Sequence, residues 1–169
     1  DRKFKDRYKA IITPPHTLVE SYAKFFLNQK ICIGAQNCYH KDNFGANTGS
    51  VSPFMIKSVG AKYVIIGHSD NRSNGDTDAM LKSKVENSLK NKLKVIFCIG
   101  ENLADKNKNR TFKVLKKQIE NVLEKKFNYN DIIVAYEPIW SIGTGKIPDA
   151  KDLIKTTVFI KKTLKNIFK

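Results

Sequence analysis

Cysteine, arginine and long apolar runs are all scarce in this sequence, and each shortage excludes something. The three cysteines, Cys32, Cys38 and Cys98, are an odd number at spacings that fit neither a zinc site nor a disulfide framework, so reduced thiols are expected. Two of them, Cys32 and Cys98, lie in apolar strand-like runs and are expected in the core. No apolar run approaches the roughly 18 residues of a membrane span, and the charged start lacks the apolar core of a signal peptide. The chain therefore reads as a soluble, cytoplasmic protein without a membrane partner. Acidic residues are also in deficit, 16 Asp and Glu against 31 Lys and Arg, for a net charge of +15. Such a balance attracts nucleic acid. Only 4 of the basic residues are Arg, however, and the 27 Lys are spread along every predicted helix. Nucleic-acid sites favour clustered Arg with interleaved aromatics, so the surplus is read as a solvated surface and no nucleic-acid partner is expected.

What is present is enough for one core. At 169 residues and 41% hydrophobic, the chain is a single domain by length, and no linker, repeat or low-complexity tract divides residues 1–169. After a charged lead over residues 1–8, short apolar runs predict strands at 9–12, 30–35, 62–66, 94–99 and 132–136. Between them lie helical signals. Thr17 with Glu20 three residues on reads as a capping box opening a helix through Leu18, Tyr22, Phe25 and Phe26. Ser52-Pro53 reads as a helix start, with Gly60 past its end. Leu81, Val85 and Leu89 share one helical face, as do Leu115, Ile119 and Val122 within 111–124. Leu153, Thr157, Ile160, Leu164 and Ile167 form the stripe of the last helix. The loop from Gln36 to Ser50 is longer than a plain connection. Continuously apolar strands alternating with helices mean an α/β fold with parallel strands covered on both faces. An open doubly wound sheet and a β/α barrel both satisfy that pattern.

The chemistry gathers in Ala135-Tyr136-Glu137-Pro138-Ile139-Trp140-Ser141-Ile142-Gly143-Thr144-Gly145-Lys146. An apolar strand ends in a carboxylate, a proline stiffens the backbone after it, and two glycines close the segment, the layout of a lid between two hinges. A carboxylate at the base of a lid is a candidate general base. A strand-end Glu on an ordinary surface loop has the same spacing. His68 also follows a strand directly, either as a functional group or as the cap of the next helix.

These residues carry a resemblance. Tyr136-Glu137-Pro138, Trp140 and Gly143-Thr144-Gly145-Lys146 resemble the catalytic-base and flexible-loop signature of the triosephosphate isomerase family. Gly34-Ala35-Gln36-Asn37, Gly60-Ala61-Lys62-Tyr63-Val64-Ile65-Ile66-Gly67-His68-Ser69 and Cys98-Ile99-Gly100-Glu101 agree in the same order. The resemblance runs from about Lys9 to Phe168, and of the two architectures it selects the barrel. It covers only the second strand through the sixth helix, so it implies a partial TIM (β/α)8 barrel of about five strands. It implies a phosphorylated triose substrate, no cofactor and no metal. Glu137 is the implied base and His68 the implied neutral electrophile, a pairing known from this family itself. The Gly143 amide is the implied phosphate donor on a lid of residues 138–146. Asp70, Cys98 and Glu101 match supporting positions, with Cys98 structural and Glu101 equally readable as a helix cap. Asn37 and Lys62 match without a derivable role.

The family forms homodimers, and two departures weaken that expectation: Ser50 stands where the family usually has Glu, and Asn71 where it has Arg. Strands with no counterpart here supply most of the family's phosphate-binding amides. An isolated chain of this kind is expected to be weak or inactive. The rival readings are a non-catalytic truncated remnant and one half of a split protein that assembles with a partner chain.

Overall fold

Five short apolar runs form one parallel sheet in chain order: β1 (Ala10–Ile12), β2 (Ile31–Ala35), β3 (Tyr63–Ile66), β4 (Lys94–Ile99) and β5 (Ile132–Tyr136). The structure, a computed structural model, describes residues 8–42 and 45–169, so all but Tyr8 of the expected charged lead and part of the 36–50 loop lie outside the described residues. Every expected strand is found, ending at its expected residue. The helices are α1 (Val19–Phe25), α2 (Pro53–Ser58), α3 (Ser69–Ser73), α4 (Asp78–Lys90), α5 (Leu103–Asn107), α6 (Thr111–Val122) and α7 (Ala150–Phe168). Each strand lies beside the next in sequence. A doubly wound sheet would reverse its order at a switch point, so this path is that of a barrel.

Local chemistry sets the helix ends. Ser52 Oγ accepts from the Met55 amide at 3.2 Å with Pro53 in the first turn. Gly60, at φ +97°, ends the helix while the amides of Gly60 and Ala61 donate to Lys57 and Ile56 carbonyls. The capping box expected from Thr17 and Glu20 does not form. Pro15 holds the entry extended, Leu18 N–H donates to its carbonyl at 2.9 Å, and Thr17 falls inside a single 3-10 turn, His16–Leu18. Glu20 turns instead to Lys24, 2.6 Å away.

One face of the sheet is sealed. Ile33, Val64, Ile66, Val95, Phe97 and Ile99 join Ile56, Leu81, Val85, Leu115 and Ile119 of the helices in one core, all 3% exposed or less. On the other face Ile65, Ile96 and Ile133 stand in one row across β3, β4 and β5, and Ile133 is 46% exposed. The expectation of two covered faces is therefore met on one side only among the described residues. Among the described residues five strands span part of a circumference that about eight would close, with β1 and β5 each paired on one side.

Two further expectations need correction. Cys32 is only half-buried because, next to core-facing Ile33 on β2, it points to the opposite face of the sheet, while Cys38, in the loop, is buried against Ser88. On α7, Ile160 and Leu164 are buried as expected, but Thr156 and Thr163 turn inward and Thr157 outward. The Thr163 hydroxyl donates to the Phe159 carbonyl at 3.0 Å, so that polar group is satisfied where it is buried.

Candidate active site

Strand register brings the site together. Ile66 pairs with Phe97 and Ile99 with Tyr136, so the residues that follow β3, β4 and β5 reach the carboxyl rim at one level. His68 Nε2 lies 3.4 Å from Glu137 Oε2. On the opposite edge of the ring, the Asp70 amide donates to His68 Nδ1 at 3.3 Å. An acceptor Nδ1 leaves the proton on Nε2, and that nitrogen faces the Glu137 carboxylate. The Asp70 carboxylate also stands 3.4 Å from Nδ1, but it is 82% exposed and water screens it. Asp70 thus serves the imidazole through its backbone, and His68 is at once the N-cap of α3 and the partner of Glu137.

Glu137 is held by the backbone. The ladder continues past β5, with Glu137 N–H donating to Ile99 O at 2.9 Å and Ile139 N–H to Glu101 O at 3.0 Å. Cys98 lies beneath it, in a narrow crevice walled also by Gly67, Arg72, Gly100 and Glu137. Burial, reinforced by the Glu137 charge, pushes the Cys98 thiol up to about 11, so it is no nucleophile near neutrality. Arg72 is the residue that sequence reasoning missed here. Its Nε donates to Gly67 O at 2.8 Å and its Nη2 to Cys98 O at 3.3 Å, pinning the ends of β3 and β4 beside the pair. Burial lowers its pKa, and Asp78 at 3.5 Å opposes that. The available signal was that one of only four arginines stands four residues after His68.

The segment after Glu137 is tied down at its base. Glu101, 1% exposed, accepts from the Tyr136 hydroxyl at 3.1 Å and from Trp140 Nε1 at 2.9 Å. It caps no helix; Asn102 caps α5. Burial, then the Glu101 charge, raises the Tyr136 pKa. Gly143 and Gly145 take positive φ, +67° and +72°, and both are exposed. Gly143 lines neither the crevice behind Glu137 nor the cleft before His68.

That cleft, of about 480 Å³, is walled by Thr13, His16, Gln36, Asn37, Ile65, His68, Asp70 and Asn71. Glu137 and His68 therefore line different cavities, although their polar atoms approach to 3.4 Å. Asn37 is the hub of the cleft wall. Its Nδ2 donates to Asn71 Oδ1 at 2.9 Å, and its Oδ1 accepts from the buried ammonium of Lys84 at 2.9 Å. Lys84 is paired with Asp76 at 2.6 Å, the two side chains 3% and 9% exposed. Lys62 makes no side-chain contact with this site; its backbone continues the sheet to Ile33 and Lys94. Among the described residues no group of three or more His, Cys, Asp or Glu is placed to hold a metal ion, and no helix is long and apolar enough to cross a membrane.

The triosephosphate isomerase family profile matches residues 1–169. The chain is 40% identical over 158 residues to the triosephosphate isomerase of Thermodesulfovibrio yellowstonii, covering 93% of this chain and 64% of that protein. It is 37% identical over 164 residues to that of Afipia carboxidovorans, covering 96% of this chain and 65% of the relative. The crystal structure of triosephosphate isomerase from Bartonella henselae superposes with a TM-score of 0.87 at 33% identity, over 95% of this chain and 65% of that one. The chain thus spans just under two thirds of the length of these relatives.

Proposed function

Because the chain belongs to the triosephosphate isomerase family, we propose that it serves the interconversion of dihydroxyacetone phosphate and D-glyceraldehyde 3-phosphate through an enediolate. The observation that carries this reading is the 3.4 Å approach of His68 Nε2 to Glu137 Oε2, with Nδ1 held as an acceptor. The Glu137 carboxylate takes a proton from the carbon beside the substrate carbonyl. His68, neutral, donates from Nε2 to the oxygen on which negative charge develops. The resulting carboxylic acid returns the proton to the neighbouring carbon, and the proton of the substrate hydroxyl passes by way of His68 to the former carbonyl oxygen, so the step balances without a redox partner. Residues 138–146 act as a lid that excludes water, with the Gly143 amide donating to the phosphate. Asp70, Cys98 and Glu101 support the pair through the contacts described above.

Glu137→Asp draws the carboxylate back by about one carbon–carbon bond, and a misplacement of that size costs about 100-fold in rate. His68→Gln removes the aromatic donor and is expected to cost a similar factor. The test is isomerisation of triose phosphate by the chain and both variants. Variants as fast as the parent would remove both assignments.

A second reading is favoured by the sheet itself. With β1 and β5 open and Ile133 on an uncovered face, we propose that residues 1–169 act as one incomplete domain that turns over only when a further polypeptide supplies the remaining strands. Activity and size-exclusion elution, with and without such a polypeptide, separate a self-sufficient isomerase from a split one and from a remnant with no activity in either state. Self-association is proposed to be weak, because Asn71 is turned to Asn37 within the chain and Ser50 carries no charge. Three unpaired cysteines suit a reducing, cytoplasmic setting.

A further inference from the structure

Trp140 sits at the start of the 138–146 segment, and two groups grip its indole from different sides. One is the hydrogen bond from Nε1 to Glu101 described above. The other comes from α5: Lys106 Nζ stands 3.8 Å from the centroid of the ring. The same ammonium lies 4.0 Å from Asp152 Oδ2, in the first turn of α7. Since α7 begins at Ala150, just past the segment, Lys106 touches the entrance of the segment and the helix that receives its exit. We propose that Lys106 is a positioning residue that latches the start of the 138–146 segment, and the helix that follows it, to α5 and so sets how readily the segment leaves its present position.

The two contacts are unequal. The ion pair is long and its carboxylate is 57% exposed, so it contributes little. A cation centred over a half-buried indole is the stronger grip, because the ring's negative face is attracted to it with less water between. The indole contact should therefore dominate the latch, and Asp152 should mainly aim the lysine. That the segment is a catalytic lid rests on the isomerase reading; the latch itself does not.

Trp140 is the only tryptophan of the chain, so fluorescence excited at the red edge of the indole band reports this side chain alone. The experiment measures acrylamide quenching of the ligand-free protein and of Lys106→Met, Lys106→Gln, Lys106→Arg and Asp152→Asn, with a thermal melt of each. Both neutral variants should raise the quenching constant by about twofold or more at an unchanged melting temperature, whereas arginine should keep the parent value. Asp152→Asn should give less than half of the methionine effect. Unchanged quenching in the folded neutral variants overturns the latch, as does arginine behaving like methionine. Lys106 is partly exposed and on a short surface helix, and the reading stands or falls on whichever neutral variant melts as the parent does. The expected quenching in a chain that shows no isomerisation either alone or with the polypeptide that completes the sheet would sink the catalytic reading and leave the latch; measurable isomerisation with unchanged quenching would do the reverse.

Discussion

Gly100 makes room for Glu137. A Cβ built on Gly100 would overlap the carbonyl group of Glu137, so the backbone carrying the carboxylate stands where any larger residue would have to be. The obstructing atoms are backbone on both sides and have no rotamer by which to yield. Gly100 is further fixed by Gln118, whose side chain accepts from its amide and donates to its carbonyl, each at 3.0 Å.

Gly100→Ala is therefore expected to move Glu137 away from His68 and lower isomerisation at least about tenfold, with secondary structure retained. Circular dichroism beside the rate would check it. An alanine variant at the parent rate would show that the close approach has no bearing on the carboxylate.

The Asp76–Lys84 pair is buried, and Asp76→Asn would leave the Lys84 ammonium without its counter-charge. The expected loss is about 3–5 kcal/mol of unfolding free energy, read from the urea midpoint at an unchanged m-value. Because Lys84 also holds Asn37, and Asn37 holds Asn71, the variant should loosen the turn that follows His68.

Phe97 is fully buried between the sheet and its helices, with the Arg72 guanidinium 5.7 Å from its ring. Phe97→Ala should cost about 3–5 kcal/mol by cavity formation and weaken the Arg72 clamp on the β3 and β4 ends. Denaturant unfolding is the direct measurement, and a loss below about 1 kcal/mol would mean that the core collapses around the deletion.

Alkaline pH should destabilise the fold through its buried thiols. Burial raises both Cys38 and Cys98 to about 11, against an ordinary 9.0. Between those values the unfolded chain loses thiol protons that the native chain keeps. The stabilisation is complete below about pH 9 and is lost as pH rises towards 11. For Cys38 this is on the order of 3 kcal/mol. Thermal melts from pH 8 to pH 11 should fall more steeply in the parent than in Cys38→Ser. Equal slopes would contradict the assignment.

Much of this protein could be read from its sequence because its decisive signals are local. Apolar runs bounded by polar turns specified all five strands to within a residue of their observed starts, and Ser52-Pro53 with Gly60 specified both ends of α2. The chemical types at positions 68 and 137, each just past a strand, marked the groups that meet at the rim. Local signals failed where competing partners were available. Glu20 had a lysine within reach and left the capping box unmade, and Thr163 turned inward with the Phe159 carbonyl to accept its hydroxyl.

Only the tertiary structure decided what depends on distance across the sheet. The register of β3, β4 and β5 set the 3.4 Å approach of His68 to Glu137, and the order of the strands separated a barrel path from a doubly wound sheet. Arg72, Asn37 and Gly100 owe their parts to atoms that lie 26, 47 and 37 residues away along the chain. The same strand apolarity is compatible with one covered face or two. Which of these holds is a matter of how many neighbours complete the sheet, and no single strand's sequence encodes that count.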